Sequence, residues 1–403
     1  MGNILSPNTV FEKCLGLLDL QNFRCPYSDT YAKKLLTGTT ILLLIDAQLR
    51  GLESLPDVEI GLRANDQLQT FVGLDSIHAS SLYRKMEQLP LDTLQRLCFQ
   101  VLGQVHHLHR DKKGIPNLGR LNVIDSSEIS LPKKAGEWAY CSRDKNGVKL
   151  HLRLVVADRD TTFPNGAALS TSAVSDQEGA LHLVVEDDAI YVFDRGYLNY
   201  HLYNQWSKQN ISFVARVKAN SKLRIVQELP VPEGSNVLKD AIVEITDPKT
   251  VETFQLRLVE YTYEKQHTYR VVTTLREHTA QEIAEIYKSR WFIELFFKWI
   301  KSHLKIKQLF NHKPEAVWSQ IYIALTAYGL SELVQQEAQT KQSTWTVLRT
   351  MRHYWFLKWE AFVQELNREP TRSSKGRKKK GKPGRPRKYP KKLTAQQILI
   401  TSN

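Results

Sequence analysis

The spacing of apolar residues along the chain changes twice and divides the chain into three parts. Apolar residues recur with a helical period through Asp92–His109, and similar patterns cover Ala32–Leu49 and Ala79–Met86. Residues 1–118 are therefore predicted to be mostly helical. Short Val- and Leu-rich runs that are typical of strands follow from residue 119. They lie at Leu121–Ile124, Lys149–Ala157, Ala167–Val174 and Ala189–Phe193.

A second strand-rich stretch follows, interrupted by prolines and a glycine that favour turns. Its predicted strands are Ser212–Val217, Ala241–Thr246, Phe254–Tyr263 and Thr268–Thr274. The pattern then returns to helix. Thr279 and Glu282 have the spacing of a capping box, which predicts a helix that begins there and continues to about Ile306. A second apolar helix is predicted over Pro314–Gln336.

The charge of the chain is concentrated at its C-terminal end. The net charge is +14, but residues 371–392 alone contain twelve Lys and Arg, and residues 371–403 contain no Asp or Glu. The first 370 residues then hold 56 − 12 = 44 basic and 42 acidic residues, a net charge of +2. A polyanionic partner is indicated for the tail, which is predicted to be disordered when free. Residues 1–118 hold twelve basic and twelve acidic residues, so their bulk charge does not indicate DNA binding.

The four cysteines are widely scattered, at positions 14, 25, 98 and 141. No Cys-x-x-Cys pair occurs, so neither a zinc site nor a disulfide framework is predicted. Reduced thiols in a bacterial cytoplasm are the simplest interpretation, with association to the nucleoid expected if DNA is the partner. No apolar run is long enough to span a bilayer.

Four polar residues lie on one narrow stripe of the helix that follows the capping box. Tyr287, Arg290, Glu294 and Lys301 have offsets of 0, 3, 7 and 14, while aromatic and aliphatic residues cover the rest of the helix. Such a helix should be largely buried, and its charges should then face a cavity or each other, because unpaired buried charge is costly. Glutamate can bind a cation and the basic residues can bind phosphate. A solvent-facing stripe with a weak Arg290–Glu294 pair is the alternative.

The spacing Tyr-x2-Arg-x3-Glu-x6-Lys resembles the signature of the insertion-sequence-four family of DDE transposases. The resemblance implies two further acids, each at the end of an upstream strand. Asp125 in Asn-Val-Ile-Asp-Ser-Ser and Asp194 in Tyr-Val-Phe-Asp-Arg-Gly-Tyr match these expectations. Asp125 precedes Asp194 by 69 residues, and Asp194 precedes Glu294 by 100. An acid at a strand end is by itself usually a turn residue, so the ordered trio carries the argument.

The resemblance implies an α/β fold with a ribonuclease-H-like core that is split by a strand-rich insertion. It predicts a helical N-terminal region at 1–118, which is a possible DNA-end binding region. The core would occupy 119–205 and, with the catalytic helix, 276–340, and the insertion would occupy 206–275. A helical part at 341–369 and a basic tail at 370–403 would follow.

The same resemblance implies the chemistry. Asp125, Asp194 and Glu294 would be the catalytic residues and the ligands of two Mg²⁺ ions, which Mn²⁺ can replace, and the ions would promote in-line phosphoryl transfer. Double-stranded DNA would be the partner, as terminal inverted repeats and as target DNA, bound by a homodimer. Strand cleavage, hairpin formation and strand transfer would follow at one site. Loop or cap roles are expected for the other acids of this region, which are Asp158, Asp160, Asp176, Asp187 and Asp188.

Several DNA contacts follow from the resemblance or from composition. Tyr287, Arg290 and Lys301 would contact the DNA backbone. Trp291 would pack against distorted DNA or, alternatively, would be a core aromatic. An aromatic residue of the insertion would hold a flipped base, and Phe254, Tyr261 and Tyr263 are equal candidates.

The tail contains Lys-Pro-Gly-Arg-Pro-Arg-Lys at 382–388, which resembles an AT-hook. Arg385 and Arg387 would then enter a narrow minor groove, whereas a generic basic tail would only bind phosphates. Two other functions remain open for the whole chain. They are a nuclease on the same core that cannot join strands, and a DNA-binding derivative without activity.

Overall fold

Helices come first along the chain, as the apolar spacing predicts. The computed structural model of the protein describes residues 9–21, 23–185, 188–263 and 267–369. The predicted helices at Ala79–Met86 and Asp92–His109 are confirmed, and the one predicted over Ala32–Leu49 begins at Thr37. The helices of this part are α1 (Val10–Gly16), α2 (Thr37–Arg50), α3 (Leu55–Arg63), α4 (Asp66–Val72), α5 (Ala79–Met86) and α6 (Leu91–Leu108).

Strands dominate the middle of the chain, and each predicted strand is present. Two short strands were not predicted, because β2 has only three residues and β7 is exposed on both faces and lacks alternation. The strands are β1 (Leu121–Leu131), β2 (Tyr140–Ser142), β3 (Lys145–Val156), β4 (Thr162–Thr171), β5 (Ile190–Phe193), β6 (Phe213–Arg216), β7 (Arg224–Glu228), β8 (Val237–Thr246), β9 (Thr253–Tyr263) and β10 (His267–Thr273). The remaining helices are α7 (Asp176–Leu181), α8 (Tyr200–Lys208), α9 (Ala280–Lys288), α10 (Trp291–His303), α11 (Pro314–Glu337), α12 (Thr344–Tyr354) and α13 (Trp359–Leu366).

The ten strands form a single sheet, which confirms the predicted mixed α/β class. The strand order is β2-β3-β1-β5-β6-β10-β9-β8-β7, and β4 also pairs with β3. Strands β4, β3 and β1 are antiparallel neighbours, whereas β5 is parallel to β1 and β6 is parallel to β5. The antiparallel strands β7–β10 join the sheet where β10 pairs with β6. The second strand-rich stretch therefore extends the sheet that holds Asp125.

Alternating side chains of the central strands enter two different cores. Val123 and Val192 belong to the larger core, which the helices on one face of the sheet complete. Ile124, Tyr191 and Phe193 belong to a smaller core on the other face, which includes side chains of α7 and α8. This alternation is the period of two that strand geometry imposes. Because both faces are covered, β5 is buried at all four positions.

Helix α11 lies at the centre of the larger core and confirms the helix predicted over Pro314–Gln336. It is buried around most of its circumference and packs against α6 and α2. A glycine allows one of these close approaches, since a Cβ at Gly329 would lie 2.6 Å from the Cγ1 of Val101. A larger residue at position 329 would therefore push α11 away from α6.

All these elements belong to one compact unit, Met1–Leu366. A second unit, Asn367–Asn403, follows α13, and only its first three residues are described. The predicted basic tail with Arg385 and Arg387 lies outside the described residues. Among the described helices, none combines the length and the apolar character that a membrane span requires.

We expect Arg257→Met to lower the free energy of unfolding by about 3–5 kcal/mol, because it leaves the buried Asp240 carboxylate without its partner. Arg257 donates to both carboxylate oxygens of Asp240, at 2.8 and 2.7 Å, and to the carbonyl of His278 at 2.6 Å. The matched control is Arg224→Met, which removes an exposed ion pair with Glu244 and should cost less than about 1 kcal/mol. Urea denaturation measures both. Equal losses would show that the Asp240–Arg257 pair does not hold β8 and β9 to the segment before α9.

Candidate active site

Two of the predicted acids lie side by side on the central strands. Ile124 of β1 and Phe193 of β5 are partners in the parallel ladder, so the next residues, Asp125 and Asp194, occupy the same level of the sheet. Asp194 directly follows β5 and precedes a short 3-10 turn. The parallel pairing therefore brings together two carboxylates that are 69 residues apart in the sequence.

The prediction that Asp125 ends its strand was wrong. Strand β1 continues to Leu131, and Asp125 is the fifth of its eleven residues. The strand continues because residues 126–131 remain paired with β3 on the other side, although β5 has ended. Asp125 therefore lies where β1 loses one neighbour, which leaves its side chain 23% exposed.

Tyr287 connects the helical segment to the second acid. Its hydroxyl donates a hydrogen bond to Oδ1 of Asp194 at 3.1 Å. The ring is only 3% exposed and packs against Tyr269 of β10. Burial, with the nearby Asp194 carboxylate, raises the pKa of Tyr287 well above its usual value, so the phenol remains a neutral donor. The predicted polar stripe thus faces the protein interior at Tyr287.

The predicted single helix from Thr279 to about Ile306 was wrong in one respect. The capping box is present, with Thr279 and Glu282 bonded reciprocally, but α9 ends at Lys288 and α10 begins at Trp291. Ser289 donates its hydroxyl to the carbonyl of Glu285 at 3.2 Å, a contact that competes with the helical bonds and bends helices. Backbone bonds of the i to i−3 type replace the helical pattern at this point.

The break between α9 and α10 places Arg290 between two of the predicted ligands. One guanidinium nitrogen lies 2.5 Å from Oε1 of Glu294, and the other lies 3.9 Å from Oδ2 of Asp125. The Arg290 side chain is 17% exposed, so these contacts are largely shielded from water. The pairing of Arg290 with Glu294 that the alternative interpretation assumed is present, but it occurs inside the acidic site.

Burial raises the pKa of Asp125 to about 6, well above its ordinary range. The N–H of Ser126, which donates to Oδ1 at 2.8 Å, and the Arg290 cation both oppose this increase. The negative charges of Asp194 and Asp176 add to it. Burial is therefore the main reason that Asp125 resists ionisation.

Asp176 is a neighbour of the site whose position sequence reasoning missed. Its carboxylate accepts hydrogen bonds from the hydroxyl of Ser126 at 2.7 Å and from Nζ of Lys149 at 3.1 Å. Asp176 is also the first residue of α7, directly after the N-cap Ser175. This position agrees with the loop or cap role that the sequence predicts for it. Nothing in the local sequence distinguishes Asp176 from an ordinary residue at a helix N-terminus.

Trp291 and Lys301 lie on the sides of α10 that remain accessible. Trp291 is 57% exposed, so it is not the core aromatic that was one of its two predicted roles. Leu295, one turn further on, is also exposed, which means that the expectation of a mostly buried helix was too broad. Lys301 is half-buried near Phe297, and burial together with the neighbouring Lys307 lowers its pKa.

The three aromatic candidates of the second strand-rich stretch differ in accessibility. Tyr261 is buried and stacks on Tyr269, with ring centroids 5.6 Å apart. Phe254 is half-buried against the smaller core. Tyr263 is half-buried, and the ammonium of Lys288 lies 5.0 Å above its ring. Tyr261 is therefore the least accessible of the three candidates.

The donor set suits a hard cation, although the described side chains do not form a finished metal site. Within the described ranges, no three histidine, cysteine or acidic side chains are grouped so that they could hold an ion as they stand. Asp125 and Glu294 instead share the guanidinium of Arg290. Carboxylate oxygens are the ligands that Mg²⁺ prefers. A cation can therefore replace the guanidinium if Arg290 moves to another anion.

We expect Asp125→Asn to stabilise the metal-free protein at pH 8 by about 1–3 kcal/mol, because the pKa of Asp125 is raised from 3.8 to about 6. The cost of ionising this carboxyl is fully present above pH 6 and disappears below pH 3.8. The stabilisation should therefore shrink when urea denaturation is repeated at pH 4.5. Asp158→Asn is the matched control with the opposite sign, because Lys112 and backbone contacts lower the pKa of Asp158. A pH-independent effect of Asp125→Asn would contradict the electrostatic account.

Comparison with known proteins agrees with this geometry. The family described as "Transposase DDE domain" matches residues 116–330, which is more than half of the chain and includes all three acids. A putative transposase, y4zB, of Sinorhizobium fredii is 32% identical over 234 residues, which are 57% of this chain and 64% of that protein. A probable transposase for insertion sequence element IS5377 of Geobacillus stearothermophilus is 28% identical over 274 residues, which are 68% and 71% of the two chains.

A putative transposase for insertion sequence element IS4SA of Synechocystis is 28% identical over 192 residues, which are 45% of this chain and 52% of that protein. The chain thus spans less than two thirds of two of these relatives. The resemblance predicted from the Tyr-Arg-Glu-Lys spacing is confirmed at the level of the family. The chain belongs to the family of transposases that contain a DDE domain.

Proposed function

We propose that the chain is a DNA transposase whose active site consists of Asp125, Asp194 and Glu294. The observation that carries the proposal is the convergence of these acids. Asp125 and Asp194 share one level of neighbouring parallel strands, and Arg290 connects Asp125 to Glu294. The printed names of the relatives, which are transposases of insertion sequence elements, support the same function.

The five strands β4-β3-β1-β5-β6 would form the ribonuclease-H-like core. Their order and their change from antiparallel to parallel pairing at β1 support this assignment. We place the start of the insertion after Arg216 rather than at residue 206, because β6 is the parallel neighbour of β5. Strands β7–β10 would then be the insertion, and α9–α10 would return the chain to the core.

Asp125, Asp194 and Glu294 would hold two Mg²⁺ ions, with Mn²⁺ as a substitute. When bound, these ions would supply activation of the attacking oxygen and stabilisation of the leaving oxygen. Tyr287 would keep the Asp194 carboxylate oriented through its 3.1 Å hydrogen bond. Since the phenol stays protonated, it donates to the ionised carboxylate and does not compete for it.

Arg290 would exchange partners when DNA binds. A guanidinium can bind a phosphate with two parallel hydrogen bonds, so a phosphate of the DNA backbone is a suitable new partner. Its departure would release the oxygens of Asp125 and Glu294. Lys301, about two turns beyond Glu294 on α10, would bind another phosphate, and the exposed ring of Trp291 would pack against the distorted end of the duplex.

The reaction would begin with hydrolysis of a phosphodiester at each element end, which frees a 3′-hydroxyl and leaves a 5′-phosphate. In the proposed sequence, the 3′-hydroxyl attacks the opposite strand and exchanges one phosphodiester for another, so a hairpin forms. Hydrolysis opens the hairpin, and the 3′-hydroxyl then attacks target DNA. Terminal inverted repeats and target DNA would be the substrates, and a homodimer would pair the two ends. Arg385 and Arg387 of the tail would add contacts to the minor groove or to phosphates.

We expect Glu294→Gln to abolish Mg²⁺-dependent cleavage of a labelled element end, by about 10²–10³-fold or more, while DNA binding is retained. The substitution keeps the size of the side chain and removes only the charge that would hold a cation. Cleavage of a duplex that carries the inverted repeat flanking the gene measures the effect, and EDTA should abolish cleavage by the parent.

The matched control for Glu294→Gln is Glu285→Gln, which changes an exposed glutamate of α9. It should cleave at the parental rate. Equal cleavage by the parent and by Glu294→Gln would sink the assignment of Glu294 and of the Tyr-Arg-Glu-Lys motif with it.

A nuclease on the same core is the second candidate function, because the acids alone would permit cleavage without joining. The presence of β7–β10 between Asp194 and Glu294 favours the transposase. We expect a pre-cleaved end with a free 3′-hydroxyl to be joined to a supercoiled plasmid, and a 3′-deoxy end to remain unjoined. Gel electrophoresis of the plasmid detects the joined product. Cleavage of whole ends without joining of pre-cleaved ends would favour the nuclease, and binding with neither activity would favour a non-enzymatic derivative.

A further inference from the structure

Two tyrosines in the turn between α1 and α2 are almost completely exposed. Tyr27 is 93% exposed and Tyr31 is 95% exposed, whereas Val251, the next most exposed large apolar residue that the structure describes, is 76% exposed. Single exposed apolar residues are common, whereas these two aromatic side chains lie only four residues apart in one segment. Aromatic residues of this kind are enriched where proteins bind partners. We call residues 23–36 the tyrosine loop.

The tyrosine loop is fixed by a buried ion pair. Asp29, which is 6% exposed, accepts hydrogen bonds from the backbone N–H groups of Cys25 at 2.7 Å and Thr37 at 3.0 Å. Its carboxylate also lies 2.6 Å from Nζ of Lys85 on α5. A buried charge pair of this kind determines conformation more than stability. The loop is therefore held in one shape, with both tyrosines outside.

The exposed charges of the tyrosine loop are all positive. Arg24, Lys33 and Lys34 are exposed, and none of them forms an ion pair among the residues that the structure describes. Asp29 is the only acid of the loop, and Lys85 neutralises it inside the protein. The balanced charge of residues 1–118 thus conceals a local surface with three unpaired cations and two free aromatic rings.

We propose that the tyrosine loop binds double-stranded DNA. Arg24, Lys33 and Lys34 would bind phosphates, and the rings of Tyr27 and Tyr31 would pack against sugars and base edges. A row of cations without acids matches a polyanion, and flat aromatic surfaces match nucleotides. The inference uses the proposed function only in taking DNA as the partner, and it is independent of the three catalytic acids.

Helix α2 separates the tyrosine loop from the C-terminal end of α10, the helix that carries Glu294. The loop precedes α2, and the other end of α2 is tied to the end of α10. Arg352 donates to the carbonyl of Leu49 at 2.9 Å and to the carbonyl of His303 at 2.7 Å. Fourteen residues of helix span about 21 Å, which is about six base pairs of DNA.

The aromatic part of the proposal is tested with Tyr27→Ser/Tyr31→Ser in the full chain. We expect the affinity for an element-end duplex to fall about tenfold or more, with an unchanged salt dependence, because no charge is removed. Fluorescence anisotropy measures this affinity. An excess of unlabelled, unrelated duplex is added as a competitor that occupies the basic tail. Ile60→Ser, at an exposed apolar residue of α3, is the matched control and should bind like the parent.

The electrostatic part of the proposal is tested with Lys33→Gln/Lys34→Gln. The plot of log affinity against log salt should lose about 1.8 from its slope, because two phosphate contacts disappear. Parental affinity and slope in both double variants would overturn the proposal. Glu294→Gln distinguishes the two proposals, since it should bind DNA normally but not cleave it. Cleavage by Glu294→Gln would contradict the proposed active site but not DNA binding by the tyrosine loop. Parental DNA binding by both loop variants would contradict DNA binding by the loop but not the proposed active site.

Discussion

Negative charge at one level of the sheet is the constraint on which the site depends. Parallel pairing of β1 and β5 puts Asp125 beside Asp194, and Asp176 of α7 contacts Ser126, the residue after Asp125. Burial raises the pKa of Asp125 to about 6, and the charges of Asp194 and Asp176 add to this increase. Arg290 opposes the increase, because its guanidinium lies near Asp125 and pairs with Glu294. The junction of α9 and α10, which carries Arg290, therefore determines which cation these carboxylates contact.

The break between α9 and α10 lets neighbouring motif residues contact different acids. Tyr287, near the end of α9, donates to Asp194, while Arg290, just before α10, contacts Asp125 and Glu294. Ser289 lies at the break and donates its hydroxyl to the carbonyl of Glu285, so its side chain is not left unpaired. Two polar residues of one motif thus contact three acids.

The sequence was sufficient for the longer strands, several of the helices and the ordered acids, but not for their mutual arrangement. Alternation and capping signals depend on local residues, so the strands and the start of α9 at Thr279 could be predicted. The continuation of β1 past Asp125 depends on pairing with β3, which no local pattern reports. The break at Ser289 depends on a contact with Glu285 that the periodicity does not report, and the approach of Asp176 depends on contacts between distant segments. The role of Trp291 was ambiguous for the same reason, because the sequence does not show whether distant segments cover an aromatic side chain.

The contacts of Arg290 with Asp125 and Glu294 suggest why the proposed site would bind its cations only together with DNA. Without DNA, the guanidinium occupies the acids, and its charge opposes the entry of a second cation between Asp125 and Glu294. Under the proposed function, a DNA phosphate would compete for the guanidinium, and each departure of Arg290 would leave more negative charge on the carboxylates. Binding of phosphate by Arg290 and binding of a cation by the acids would then be linked equilibria, and each would strengthen the other by the same factor. Under the proposed function, a chain that is free of DNA would hold its catalytic cations weakly, and the presence of the substrate would complete the site.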